Sequence, residues 1–126
     1  MIKSFLFDFD GTLIDTNELI FESHNYAFKK VIGREITRKE FLSLYGRPLK
    51  ESLGEKYPEL VDKLLEEYMI FNEKNHDKLV KSFPKVYEGL KLLKENKIKI
   101  GVVTSKRIET LNKGIKFLEL DDFLIV

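Results

Sequence analysis

Residues Ile2 to Phe9 form a nearly continuous apolar run that stops abruptly at Asp10-Gly11. Strands covered on one face alternate apolar and polar side chains, whereas a strand covered on both faces has no need to. The run therefore predicts a strand buried on both faces, and with it a parallel sheet. After the strand, Asp15 and Thr16 are placed to cap a helix whose apolar positions, Leu19, Ile20, Ala27, Phe28 and Val31, recur at helical spacing before Gly33.

Thr37 and Glu40 then make a capping box, with Phe41, Leu44 and Tyr45 on one face and Gly46 as the stop. Pro48 opens a third short turn. Beyond Pro58 a long amphipathic helix is expected, with Leu60, Leu64, Leu65, Tyr68, Met69 and Phe71 as its buried face. The period changes again at Pro84, which starts a helix carrying Val86, Leu90 and Leu93. Asn96-Lys97 turns the chain into a strand from Ile98 to Val103. A helix after Ser105, with Ile108, Leu111, Ile115 and Leu118, leads to a last apolar run from Phe123 to Val126. Strand, helix and strand in this order read as a parallel crossover. The expected fold is α/β: a partial Rossmann-like parallel sheet, residues 1–15 and 81–126, with an inserted α-helical cap, residues 16–80.

Composition narrows the function. The 126 residues carry a formal net charge of +1 with lysines and glutamates interspersed, so no extended field draws the chain to nucleic acid. With no cysteine there is no disulfide, thiolate nucleophile or cysteine-ligated zinc, which fits a reducing compartment, and the cytoplasm is the expected location. The N-terminal run is too short for a secretory signal and no apolar stretch reaches the length of a membrane span, so no membrane association is expected.

The strongest chemical signal is Asp8-Phe9-Asp10-Gly11-Thr12-Leu13, at the carboxyl end of the first strand, where open α/β sheets bind ligands. Two carboxylates held close repel each other, and one tends to stay protonated unless a cation neutralises the pair. One can then attack phosphorus while its neighbour gives a proton to the leaving alcohol and later takes one from water. Gly11 permits the sharp turn, and Thr12 offers a hydroxyl and backbone N–H groups to an anion. An Asp-Gly pair between apolar stretches is also a hairpin signal, although the helical pattern after Asp15 opposes that reading. A calcium loop would need Gly and Glu where counting from Asp8 finds Leu13 and Leu19.

The second signal is Val102-Val103-Thr104-Ser105-Lys106, in which a buried strand delivers a hydroxyl pair, Thr104 and Ser105, to a helix start suited to a phosphate oxygen. Alone it also reads as an ordinary N-cap. Parallel neighbouring strands would bring both loops to one edge of the sheet, and the pair is far more specific than either member.

DFDGTLIDT near the N-terminus, FPKVYEGLKLLKENKIKIGVVTSK later and the helices between them resemble the haloacid dehalogenase superfamily, in its phosphoglycolate phosphatase and pyrophosphatase-like branch with a helical cap of the first type. The similarity covers essentially the whole chain. It implies Asp8 as a nucleophile that forms an aspartyl-phosphate and Asp10 as general acid and base. It also implies Mg²⁺ held by Asp8 and the backbone carbonyl of Asp10, and Thr104 on the transferring phosphoryl group. Such members also supply a lysine on a later loop and an acidic pair after a further strand, and neither occurs before Val126. Asp121-Asp122 precede their apolar run and are expected in a solvated turn. Lys106 is a partial substitute for that lysine or, as the more ordinary reading, a surface lysine in the first turn of a helix. Pro84-Lys85 stands where relatives have Pro-Gly.

Arg47, on the loop Tyr45-Gly46-Arg47-Pro48, is either a fork for an anionic group of the substrate or an exposed arginine. His24 and His76 lack metal-ligand spacing and are expected to be structural or solvent-facing. The leading expectation is a Mg²⁺-dependent phosphatase of small phosphorylated metabolites. The alternatives are a sugar-phosphate mutase and a catalytically silent fragment acting as a binding or assembly module. A bare edge on the first strand would favour a homodimer.

Overall fold

In the computed structural model, which describes residues 1–104 and 106–124, the N-terminal run forms β1 (Ser4–Phe7) and a two-residue β2 (Ile14–Asp15) follows the turn after it. Four helices come next: α1 (Asn17–Val31), α2 (Arg38–Leu44), α3 (Leu49–Lys56) and α4 (Val61–Leu79). The chain then runs through β3 (Lys81–Ser82), α5 (Val86–Glu95), β4 (Lys99–Val102) and α6 (Ile108–Phe117). It divides into two compact units, Met1–Thr16 with Val80–Val126, and Asn17–Leu79.

In the first unit β1 and β4 pair in parallel, with Ser4 opposite Lys99 and Phe7 opposite Val102. A parallel bridge from Ile100 to Leu124 brings the start of the last apolar run to the other side of β4. Ile125 and Val126, the rest of that expected strand, lie outside the described residues. Asp121 and Asp122 are exposed in the turn just before Leu124. β2 and β3 form a separate antiparallel ladder, Ile14 opposite Ser82 and Asp15 opposite Lys81. The core of this unit is Phe9, Ile14, Leu90, Ile100, Leu111, Ile115 and Leu120, all buried. A Cβ on Gly114 would stand 3.1 Å from the Phe9 ring and 3.2 Å from Ile14, so α6 approaches the first loop as closely as a backbone can.

The expectation that the first strand is buried on both faces is corrected. Leu6 is 70% exposed, Ile2 and Phe5 are also exposed, and among the described residues only β4 pairs with β1. An apolar run reports what a strand is able to bury; what covers it depends on layers that lie elsewhere in the chain.

Lys85, where the resembling proteins have glycine, adopts the left-handed conformation, φ 65° and ψ 9°, at the N-cap of α5. For a residue with a Cβ that conformation costs about 1–2 kcal/mol. Glycine removes the clash but gives the unfolded chain more freedom. Lys85→Gly is therefore expected to stabilise the protein by about 0.5–1 kcal/mol in urea denaturation; a loss of stability would mean that Lys85 makes compensating contacts. Lys97 and Glu119 take the same conformation just beyond α5 and α6. There Ile98 N–H donates to Leu93 and Leu120 N–H to Ile115, the six-to-one bonds of a Schellman ending.

The second unit is built on α1 packed along α4, with Ala27, Phe28, Ile36, Leu44, Leu53, Leu64 and Tyr68 as its core. The capping box at α2 is present. Thr37 Oγ1 accepts from Glu40 N–H at 3.1 Å, and Glu40 Oε1 accepts from Thr37 N–H at 3.3 Å. Its glutamate does more than cap. Arg34 grips both carboxylate oxygens, at 2.8 and 2.9 Å, and the Tyr57 hydroxyl donates to Oε2 at 2.8 Å. The Arg34 guanidinium in particular holds the Glu40 carboxyl well below the usual carboxylate range.

His24 and His76 are both buried. The His24 ring lies edge-on to Tyr68 and Phe41, at 4.9 and 5.9 Å between centroids. Burial lowers its pKa from the ordinary 6.5 to about 4. Because the folded value is the lower one, the unfolded state binds the extra proton first. Stability is whole above pH 6.5 and is lost as pH falls toward 4, by about 3 kcal/mol in all. His24→Leu is expected to remove this part of the acid dependence; an identical slope between pH 6.5 and 4 in wild type and variant would show that other groups cause it.

Candidate active site

The parallel register fixes the site. Phe7 is paired with Val102, and Val103 N–H donates to the Phe7 carbonyl at 2.9 Å, so the residues after Phe7 and after Val102 leave the sheet side by side at its carboxyl rim. Asp8 is the first residue beyond β1 and is exposed; its Oδ1 accepts the N–H of Phe9 at 2.8 Å. The chain then closes on itself. The Phe9 carbonyl accepts from the N–H groups of Thr12, Leu13 and Ile14, at 3.2, 2.9 and 3.2 Å, and Gly11 supplies the left-handed φ of 79° that the turn requires. With Phe9 wholly buried beneath it, this turn is anchored in the core, and it is no hairpin arm of β1, since its second strand pairs with β3.

Asp10 is where the two loops meet. Its Oδ1 takes the Lys106 ammonium at 3.0 Å and faces the Thr16 hydroxyl at 3.4 Å, a long contact for an O–H donor. Lys106 also donates its backbone N–H to Thr104 Oγ1 at 3.1 Å, and its ammonium stands 5.5 Å over the Phe9 ring. Asp10, Lys106 and Thr104 thus form one connected group, with Asp8 beside it through the register of the strands. The ordinary reading of Lys106 is corrected: its side chain is only 15% exposed, and α6 begins at Ile108, so it lies in the loop and not in the helix. The apolar surface of Phe9 and the charge of Asp10 draw it inward, and neither can be seen from its place in the sequence. The lysine that closes VVTSK was the one signal available.

Four other expectations fare differently. Thr104 stands well before the N-cap of α6, which is Arg107, so its hydroxyl turns on the Lys106 amide and does not cap the helix. Ser105 lies outside the described residues. The N–H of Thr12 is spent on Phe9, as are those of Leu13 and Ile14, and only the Thr12 hydroxyl is left to offer an anion; Thr12 lines an open groove with Phe7, Lys85, Val86 and Leu90. Arg47 belongs to the other unit, where its guanidinium pairs with Glu55 at 2.7 Å and is held above its ordinary pKa by that bond. The groups at the rim are hard oxygen donors, the chemistry that suits Mg²⁺. No group of three or more His, Cys, Asp or Glu able to hold a metal occurs among the described residues; Asp8 and Asp10 are two acidic side chains at this rim, fewer than such a group needs. No described helix is long and apolar enough to cross a membrane.

Comparison with known proteins agrees with the geometry. The family model for haloacid dehalogenase-like hydrolases matches residues 5–126. Pyrophosphatase PpaX of Anoxybacillus flavithermus is 41% identical over 122 residues, which are 97% of this chain and 57% of that protein. Pyrophosphatase PpaX of Halalkalibacterium halodurans is 41% identical over 125 residues, 99% of this chain and 58% of its own length. The chain therefore spans under two thirds of the curated relatives it matches. Among solved structures, a haloacid dehalogenase-like family hydrolase from Streptococcus pneumoniae superimposes with a TM-score of 0.84 at 24% identity, covering 98% of this chain and 59% of that one. A HAD hydrolase, family IA, variant 3, from Entamoeba histolytica gives 0.82 at 23% identity, covering 98% and 58%. At these identities the two structures speak for the fold alone.

Proposed function

The chain belongs to the haloacid dehalogenase-like hydrolase family, and on that premise we propose that it carries the nucleophile-bearing part of a Mg²⁺-dependent phosphohydrolase working through an aspartyl-phosphate on Asp8. The observation that carries the proposal is the register of β1 with β4, which sets Asp8 and Thr104 at the same rim of the sheet. An Asp8 carboxylate oxygen attacks phosphorus as the bond to the leaving oxygen breaks. Asp10 gives that oxygen its proton. Asp10 then takes a proton from water, whose oxygen attacks the same phosphorus, releases phosphate and restores Asp8. Thr104 donates its hydroxyl to a phosphoryl oxygen throughout.

The Asp8 carboxylate and the Asp10 carbonyl would hold the metal. When bound, Mg²⁺ offsets the charge gathered between the carboxylates and the phosphoryl oxygens. The names of the relatives make pyrophosphate the first substrate to try, with small phosphomonoesters next. The whole protein, incubated with Mg²⁺ and labelled pyrophosphate and quenched in acid, should carry hydroxylamine-labile phosphate on Asp8. Turnover without any such adduct, or with the label on another residue, would refute the proposal.

A further inference from the structure

We infer that Lys106 is a positioning residue that ties the two loops of this site together, fixing which oxygen of Asp10 exchanges a proton and which way the Thr104 hydroxyl donates. The inference rests on the functional reading of Asp8, Asp10 and Thr104 given above, and adds to it a residue with no assigned part in the reaction.

Two bonds run from Lys106, one to each loop. Its ammonium binds Asp10 Oδ1 at 3.0 Å, and its backbone N–H binds Thr104 Oγ1 at 3.1 Å. Each has a directional consequence. A threonine hydroxyl that accepts the Lys106 amide hydrogen on one lone pair turns its own hydrogen away from that amide, so Thr104 is set to donate outward, the sense required to hold a phosphoryl oxygen. Among the described residues, both side-chain contacts on Asp10, from Lys106 and from the more distant Thr16 hydroxyl, fall on Oδ1. That leaves Oδ2 as the oxygen that exchanges a proton with the leaving group and with water. Without the lysine, the Asp10 carboxylate is held, among the described residues, by the 3.4 Å contact alone; it is then able to rotate, and the two oxygens become equivalent.

The setting makes Lys106 a fixed strut. Its side chain is 15% exposed and its ammonium lies over the ring of Phe9, itself wholly buried. The ammonium is thus held from two sides, by the Phe9 ring and by the Asp10 carboxylate, at the end of a largely buried side chain, so the geometry of Asp10 is set before substrate arrives. A residue acting in this way lowers the barrier through alignment and leaves ground-state affinity nearly unchanged.

The test uses the whole protein with pyrophosphate as substrate. Lys106→Met keeps a long unbranched side chain in this largely buried position and the backbone N–H to Thr104 while removing the ammonium. It is expected to lower kcat about 10- to 100-fold with KM within about threefold, and to leave the affinity for inorganic phosphate within about twofold. Lys106→Arg, which restores a cation of similar reach, should recover a large part of the loss. Placed on an Asp10→Asn background, Lys106→Met should cost less than about twofold further, because the lysine acts through that carboxylate. If Lys106→Met does not fold, Lys106→Gln and Lys106→Arg carry the same comparison. The inference is overturned if kcat stays within twofold of wild type, if KM rises tenfold with kcat unchanged, or if the loss is as large on the Asp10→Asn background as on wild type. Asp8→Asn in parallel keeps the two levels apart. An active Asp8→Asn removes the functional reading itself, whereas an inactive Asp8→Asn beside an unaffected Lys106→Met removes only the role of the lysine.

Discussion

Asp8→Asn is expected to lower kcat by about a thousandfold or more, with little change in stability. The reason for the first effect is chemical, since a neutral amide is a poor nucleophile and cannot form the acyl phosphate. The reason for the second is structural. Asp8 is exposed just beyond β1, and the hydrogen bond its side chain makes, accepting the Phe9 N–H at 2.8 Å, can be kept by the amide oxygen of asparagine. Fold and chemistry are therefore separable at this position. Steady-state kinetics, phosphoenzyme trapping and a denaturation curve on the same preparation check both halves. A variant with wild-type melting that still turns over within tenfold of the parent would exclude Asp8 as the nucleophile.

Phe9→Ala is expected to destabilise the first unit by about 3–5 kcal/mol. Phe9 is fully buried, and α6 comes so close that a methyl group on Gly114 would stand 3.1 Å from its ring. Truncation leaves a hole between rigid elements that cannot collapse freely. The cost is a large share of the roughly 5–15 kcal/mol by which a domain is usually stable. Function should suffer as well, because the ring supports the Lys106 ammonium and anchors in the core the residue whose carbonyl accepts from Thr12, Leu13 and Ile14. Urea denaturation measures the first effect. Phe9→Leu, which refills most of the volume, should recover much of the loss; a cost below about 1 kcal/mol for Phe9→Ala would mean that the site repacks.

The elements most clearly legible in the sequence were those decided by near neighbours. Thr37 and Glu40 announced α2 because a capping box is closed by residues three apart. The apolar spacing from Leu60 to Phe71 announced α4, although His76, buried near its end, lay beyond the pattern. The turn at Asp10-Gly11 was marked by the one residue type that accepts its φ freely. At Lys85 the left-handed backbone persists without glycine, and there the local signal was silent because the surrounding chain imposes the conformation.

What the sequence by itself determined about this protein is the order of its helices and longer strands, though not the short β2–β3 ladder, and the two short motifs on which the proposed function rests, since these follow from side-chain period, caps and residue chemistry over a few positions. The tertiary structure alone decided that Leu6 stays exposed, that Arg47 is engaged by Glu55, and that Lys106 turns inward to join Asp10 to Thr104. Glu55 stands only eight residues from Arg47, whereas the turn of Lys106 is set by a charge that arrives from a distant part of the chain. Lys106 and Asp10 are ninety-six residues apart, and only the parallel pairing of β1 with β4 makes them neighbours.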